Sequence, residues 1–385
     1  MSIESTYLNS YLKLTSNQSL FKYYAQSLLL LCLYPKSFPD WYEKNNYNRD
    51  SSGKLVENSF ENFIKVQTDW NEKLNSDKPK YYDAFKYLNF SIKKIKSKLA
   101  HKSFDDQNTS KDSYCELETM SCTPLLNNNG KHIVYFTGVN TCYQQFFKDI
   151  TVLVKETSAA VHAFNYPGIS GSTGVIREAN DLINSGLAMV NYLSLQGIDP
   201  NDIILLGDCN GAAVAYDVKR ILEHNLSINL KIIMNNAYSS MSGIIYDILT
   251  KIFKFIPGFM FHFIEFLVSN SGWDLSPLQK RAESGNNVFS DINEDRCYIQ
   301  HIGDLTLKTS SIGDSVSNSS NYLYNIYKAQ IKLKESEKVK HANKQNTTID
   351  NIDSHLVPLC DCVLNDNPEK SIYSEFISPF IHASI

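Results

Sequence analysis

Residues Ile203-Ile204-Leu205-Leu206-Gly207-Asp208-Cys209-Asn210-Gly211-Ala212-Ala213 decide how this chain is read. Four consecutive aliphatic residues predict a strand buried on both faces. Gly207 and Gly211 then bracket Cys209 in the pattern G-x-[S/C]-x-G, the signature of a nucleophile elbow. At such an elbow a strand turns into a helix so sharply that the nucleophile takes a strained backbone conformation. Flanking side chains would collide there, and Gly207, Gly211, Ala212 and Ala213 leave the space open. The turn sets the Cys209 thiol at the carboxyl edge of a sheet. It also sets it at a helix N-terminus, whose partial positive charge favours an anion. The competing reading of Cys209 is a small buried hydrophobe. The strand before it and the alanine-rich helix after it supply the context an elbow requires.

Outward from the elbow, strands alternate with helices. Ile133-Val134-Tyr135-Phe136 is a buried strand, followed by a helix from about Tyr143 to Glu156. Ala159 to Tyr166 is a second strand, closed by Pro167-Gly168. A helix from Glu178 to Gln196 stops at Gly197 and Pro200. After the elbow come a helix from Ala212 to Glu223 and strands at Leu230–Met234 and Arg296–Ile302. This rhythm predicts an α/β fold with a mainly parallel sheet flanked by helices. An insertion at about 239–295 holds the apolar stretch Ile244–Val268 and reads as a helical cap. It is either a mobile lid touching lipid or acyl chains, or a permanently packed helix, which the general rule for apolar helices favours. Residues Lys334 to Asp350 are polar and read as a loop.

Residues 1–115 read as a helical N-terminal region, apart from a domain at 116–385. Apolar residues recur at helical spacing in Leu20–Leu33, Phe60–Leu74 and Tyr81–Leu99, punctuated by Pro35, Pro39 and Pro79. The third of these carries Lys93, Lys94, Lys96, Lys98 and Lys102, a solvated face or a surface for peripheral membrane contact.

The totals exclude several classes. With 43% apolar residues the 385-residue chain can build a substantial core. A net charge of −4 argues against a nucleic-acid binder. Eight irregularly spaced cysteines do not form a disulfide scaffold and read as reduced thiols. Cys360-x-Cys362 lies near His355, but a zinc site would want a second ligand pair, so no metal and no cofactor is expected. No secretory signal is visible. The interruptions Asp247, Lys251, Lys254, Pro257, His262 and Glu265 speak against a spanning helix. A cytoplasmic location, or secretion without a cleavable signal peptide, follows as an expectation.

A cysteine nucleophile needs a base, and the base needs an orienting acid. Behind this kind of elbow the chain order is nucleophile, acid, histidine. His301 lies inside a strand, His341 in the polar loop, and His382 close to Ile385, which leaves His355 in Asp353-Ser354-His355-Leu356-Val357-Pro358, ahead of a helix. The acid should follow a strand, which points to Asp304, with Asp314 in reserve and Asp353 behind it. The oxyanion hole should use the N–H of Asn210 and a second N–H after the first strand, at Val139 or else Asn140. Gly138 there lets the backbone approach a substrate closely.

These pieces resemble α/β-hydrolases, and more closely SidB-type bacterial effectors, over residues 131–359. The resemblance rests on Phe136-Thr137-Gly138-Val139-Asn140, the run Phe164-Asn165-Tyr166-Pro167-Gly168-Ile169-Ser170-Gly171-Ser172-Thr173-Gly174, and the elbow. Ala237-Tyr238-Ser239-Ser240, Gly272-Trp273-Asp274 and Asp353 to Leu359 add to it. It implies an α/β-hydrolase fold with a Cys209-Asp304-His355 triad, a small-molecule or acyl/lipid substrate, delivery into a host cell, and a host-cell protein partner. Three positions depart from the family pattern: Thr137 and Asp208 replace histidines, and Cys209 replaces serine. Two outcomes follow from the thiol, hydrolysis or transfer of the acyl group to another acceptor. A non-catalytic binding module on a hydrolase fold is the third reading.

Overall fold

The computed structural model describes residues 87–100, 113–138, 141–235, 237, 241, 257–270, 273, 296–301, 340–346, 362–364 and 367–382. Its elements, in chain order, begin with strands β1 (Leu88–Lys98), β2 (Tyr114–Pro124) and β3 (His132–Phe136). Helix α1 (Phe147–Thr157), β4 (Ala160–Phe164), α2 (Ala179–Leu195) and β5 (Ile203–Asp208) follow. Next come α3 (Asn210–Leu226), β6 (Lys231–Asn235) and α4 (Gly258–Asn270). The chain continues through β7 (Arg296–His301), β8 (Lys340–Asn346), β9 (Cys362–Leu364), β10 (Asn367–Ser371), a π-helical turn (Tyr373–Ile377) and α5 (Ser378–His382).

The strands form one sheet in the order β1-β2-β4-β3-β5-β6-β7-β8-β9-β10. From β4 to β8 all neighbours are parallel, as the alternating rhythm predicted. β2 runs antiparallel to β1 and β4, and β9 antiparallel to β8 and β10. The chain leaves β3 toward β4 on one side and returns to β5 on the other. The crevice above the carboxyl ends of β3 and β5 is therefore the topological switch point, where ligands of open α/β sheets bind.

Each face of the sheet has its own core. Val134, Phe136, Phe164, Leu205 and Met234 pack under α2 and α3 through Leu182, Met189, Val190, Val214 and Val218. Ile133, Tyr135, Val161, Leu206 and Ile233 pack on the other face against Ile150, Leu153 and Val154 of α1. Ile372, Tyr373, Ile377, Phe380 and Ile381 complete that second core. Two buried bonds fasten this late segment: Lys231 Nζ donates to the Phe380 carbonyl (2.9 Å) and the Tyr373 hydroxyl to Asp149 Oδ1 (2.9 Å).

Four expectations need correcting. Within the stretch Tyr81–Leu99, residues 88–98 are not helical but form β1, paired along its length with β2. The cause is a change of buried face. Leu88, Phe90 and Ile92 point to one core, Ile95 and Leu99 to the other. The switch at Lys93-Lys94 leaves Ile92, Ile95 and Leu99 at helical spacing. Lys93, Lys94, Lys96 and Lys98 thus lie on the outermost strand among the described residues, where charge discourages further pairing. Second, a domain boundary at 115/116 would cut through β2, so the sheet begins at least as early as Leu88. β2 escapes an apolar-run search because Glu118 and Thr119 sit buried at its centre. Third, Lys334–Asp350 is not wholly a loop, because residues 340–346, His341 included, form β8 between β7 and β9. A ladder is made of backbone bonds and tolerates a polar composition. Fourth, β9 and β10 precede the final helix. Residues 1–86 lie outside the described residues.

In the cap, α4 packs Ile264 and Val268 on the core and leaves Phe259, Met260, Phe263 and Phe266 exposed. Among the described residues no helix is long and apolar enough to cross a membrane.

One polar cluster sits inside the sheet. The His162 ring pairs its Nδ1 with Ser121 Oγ (2.8 Å) and its Nε2 with His132 Nδ1 (3.0 Å). Burial, helped by His132, pushes the His162 pKa from 6.5 down to about 3, and burial lowers His132 against an opposing pull from Asp202. These histidines resist a proton that the unfolded chain accepts. Their stabilising contribution is therefore full above pH 6.5 and lost as pH falls from there toward 3. The urea midpoint of the wild type should drop between roughly pH 7 and 5, and that of His162→Gln should drop less, because one group can contribute up to about 1.4 kcal/mol per pH unit. Equal drops would contradict this assignment.

Candidate active site

The elbow predicted from sequence is present. Cys209 follows β5 directly, with φ 51° and ψ −115°, and α3 starts at the next residue. A positive φ on a residue with a Cβ is a strained conformation that only surrounding structure can hold. Here the Cys209 N–H donates to the Asn235 carbonyl of β6 (2.8 Å), and the Cys209 carbonyl accepts from Ala212 N–H (3.1 Å). The sheet grips Cys209 on one side and the helix on the other.

The glycines are needed for close approach. A Cβ on Gly207 would fall 2.4 Å from Ala212 Cα, and one on Gly211 would fall 2.2 Å from the Phe136 carbonyl oxygen. Gly211 therefore lets α3 dock against the end of β3. Gly138, two residues beyond β3, is different. A Cβ there would meet the Asp208 carbonyl oxygen at 3.6 Å and Cys209 Cβ at 3.7 Å, ordinary contact distances, so Gly138 faces Cys209 without being sterically obligatory.

This strand order with an elbow after β5 defines the architecture. The fold is that of the α/β-hydrolases.

The thiols separate by environment. Burial pushes Cys115 up to about 12, with help from Asp181, and pushes Cys122 up as well, as expected of inert core thiols. Cys142 and Cys209, in contrast, are partly accessible. Asn210, the first residue of α3, is buried beside Cys209, and the first-turn amides of a helix have no acceptor four residues back. The structure thus brings Cys209 together with Asn210, Gly138, Gly207 and Gly211. Val139, Asn140, Asp304, Asp314, Asp353 and His355 lie outside the described residues. Among the described residues no three His, Cys, Asp or Glu gather as metal ligands would.

One neighbour of Cys209 was not singled out from sequence. Asn235 holds the Cys209 amide, and its Nδ2 donates to Asp208 Oδ1 (2.5 Å). Its position as the last residue of the strand paired with β5 was the available signal. Thr137 is wholly buried at the end of β3, and its Oγ1 has no hydrogen-bond partner among the described residues.

Comparison with known proteins gives a family match and a set of structural likenesses. A family described as Chlamydia CHLPS protein (DUF818) matches residues 129–257, about a third of the chain, from before β3 to just ahead of α4. No curated protein matches the sequence. Among solved structures, the chain is similar to the Pyrococcus furiosus esterase Pf2001 at 13% identity and a TM-score of 0.42, over 68% of this chain and 82% of that one. An alpha-beta hydrolase from Vibrio vulnificus shares 15% identity with a TM-score of 0.43, over 63% and 71%. A thermostable esterase from Pseudomonas putida shares 11% identity with a TM-score of 0.42, over 81% and 86%.

The glycine geometry sets a ranking. Gly207→Ala and Gly211→Ala should each lose about 3 kcal/mol or fail to fold, as severe overpacking against backbone does. Gly138→Ala should unfold in urea near the wild-type midpoint. The reverse order would show that the elbow packing is wrongly described.

Proposed function

We propose that the protein is a cysteine-dependent acyl hydrolase of the esterase or thioesterase type. The observation that carries this is Cys209 itself. A partly accessible thiol is held at a strained positive φ, at a helix N-terminus, over the topological switch point of the sheet. Strain of that kind persists where geometry at a reacting atom matters.

In this reading Cys209 Sγ attacks the carbonyl carbon of an ester or thioester while His355 takes the thiol proton. Asp304 fixes the imidazole tautomer. The amides of Asn210 and Val139 receive the oxyanion, worth about 3 kcal/mol per donor. The tetrahedral adduct collapses, the alcohol or thiol leaves with the proton from His355, and Cys209 holds the acyl group. Water, deprotonated by His355, then releases the acid. Support for the partners is topological. β7 and β8 run parallel to β5 and end at the same sheet edge as Cys209, and Asp304 and His355 follow those ends in sequence. The exposed Phe259, Met260, Phe263 and Phe266 on α4 favour a lipid or acyl substrate and a peripheral membrane contact. If an acceptor other than water reaches the acyl-cysteine first, the same steps make an acyltransferase. The likeness of residues 131–359 to SidB-type effectors adds delivery into a host cell, with a host protein as a further partner.

A second reading, a binding module without turnover, is favoured by one observation. Asp208, next to Cys209, places a carboxylate beside the nucleophile and is tied there by Asn235.

Intact mass measured after incubation with p-nitrophenyl esters and acyl thioesters of graded length separates the two. The wild type should gain an acyl adduct and turn over, and Cys209→Ala should gain none. Asp304→Asn should lose activity by orders of magnitude, and Asp314→Asn should not. A well-folded wild type with neither adduct nor turnover refutes catalysis, and a larger loss in Asp314→Asn reassigns the acid.

A further inference from the structure

The centre of β2 holds a carboxylate that the proposed chemistry does not use. Glu118 is only 4% exposed. A buried carboxylate is costly unless its oxygens are satisfied. No cation pairs with Glu118 among the described residues. Instead three neutral N–H donors converge on Oε2: Asn165 Nδ2 at 2.7 Å, Gln144 Nε2 at 2.9 Å and the Gly171 amide at 3.2 Å. The backbone at this point is tied as well, by Glu118 N–H to Ser172 Oγ (2.8 Å) and Asn165 N–H to the Glu118 carbonyl (2.9 Å).

These donors belong to the two segments that leave the carboxyl ends of β4 and β3. Asn165, Ser170, Gly171 and Ser172 are in the segment after β4. A Cβ on Gly171 would lie 2.7 Å from Glu118 Oε1, so that backbone rests directly on the carboxylate. Gln144 is the second residue of the helical turn Tyr143–Phe146 after β3, and its Nε2 also donates to Ser170 Oγ (3.0 Å). Asn165 joins the two segments. While Nδ2 donates to Glu118, its Oδ1 accepts the Tyr143 N–H (2.9 Å). From there the connections run on toward the nucleophile. Gln145 N–H donates to the Cys142 carbonyl (3.0 Å), Thr141 Oγ1 donates to the Gly138 carbonyl (2.9 Å), and Gly138 lies against Cys209.

We infer that Glu118 is a positioning residue for the oxyanion side of the site. Through Asn165 and Gln144 it fixes the start of the helical turn at Tyr143, and so the neighbouring Thr141, which holds the Gly138 carbonyl beside Cys209. The inference rests on the acyl-transfer reading. Its physical basis is that an oxyanion donor displaced by as little as about 1 Å can lose on the order of a hundredfold in rate. A hydrophobic residue at position 118 would pack without desolvating a charge, but it would present no acceptor on which the two segments could meet.

The test uses the full-length protein with Glu118→Gln and Gln144→Ala, and three readouts. Hydrogen exchange at Tyr143 and Gly171 reports the loop. Acylation of Cys209 by a p-nitrophenyl ester needs the oxyanion donors. Alkylation of Cys209 by iodoacetamide, followed by peptide mapping, attacks a saturated carbon and needs none. Both variants should exchange faster at Tyr143, and the ratio of acylation to alkylation rates should fall at least about tenfold while alkylation stays within about twofold of wild type. Unchanged exchange at Tyr143 overturns the coupling. Faster exchange with an unchanged ratio reduces Glu118 to a loop staple. A wild type that is alkylated at Cys209 but never acylated refutes the acyl-transfer reading, and the positioning role falls with it. If Glu118→Gln does not fold, Gln144→Ala, at a half-buried position, decides alone.

Discussion

A single hydrogen bond, from the Cys209 N–H to the Asn235 carbonyl, fixes the geometry on which the site depends. A cysteine at φ 51° relaxes unless something over-determines it. That bond ties the strained residue to β6, the Gly211 contact ties the next turn to β3, and both strands are immobilised in a sheet with a core on each face. The strain at one residue is held by packing spread over the whole domain. A rigid parallel sheet is therefore a condition of the strained turn as well as its support.

The parallel sheet was legible because its central strands are buried on both faces and read as unbroken apolar runs. Ile133 to Phe136, Ile203 to Leu206 and Leu230 to Met234 gave the sheet, and the glycine pattern around Cys209 gave the turn. The outer strands were not legible, each for its own reason. β1 changes its buried face halfway, which imitates a helix. β2 buries Glu118 and Thr119, which reads as surface. β8 contains no strong apolar run and is held by its backbone ladder. Patterns report where side chains go, and edge strands are defined more by where amides go.

The site shows the same division. The turn at Cys209 could be read because local sterics force the glycines on either side of it. Asn235 and Glu118 could not, because their partners lie far away in sequence. Asn165, 47 residues from Glu118, gains its meaning only when β2 and β4 are paired. Buried polar groups of this kind specify geometry more than they stabilise, and they leave no periodicity to read.

The fastening of residues 372–381 has a consequence in time. Lys231 reaches a carbonyl 149 residues further on, and Asp149 a hydroxyl 224 residues further on. During synthesis, β3 to β6 and α1 are complete long before those partners exist. The part of that apolar face which α1 does not cover must therefore wait in the growing chain until the late segment arrives, and a nascent domain in that condition is a natural client for chaperones.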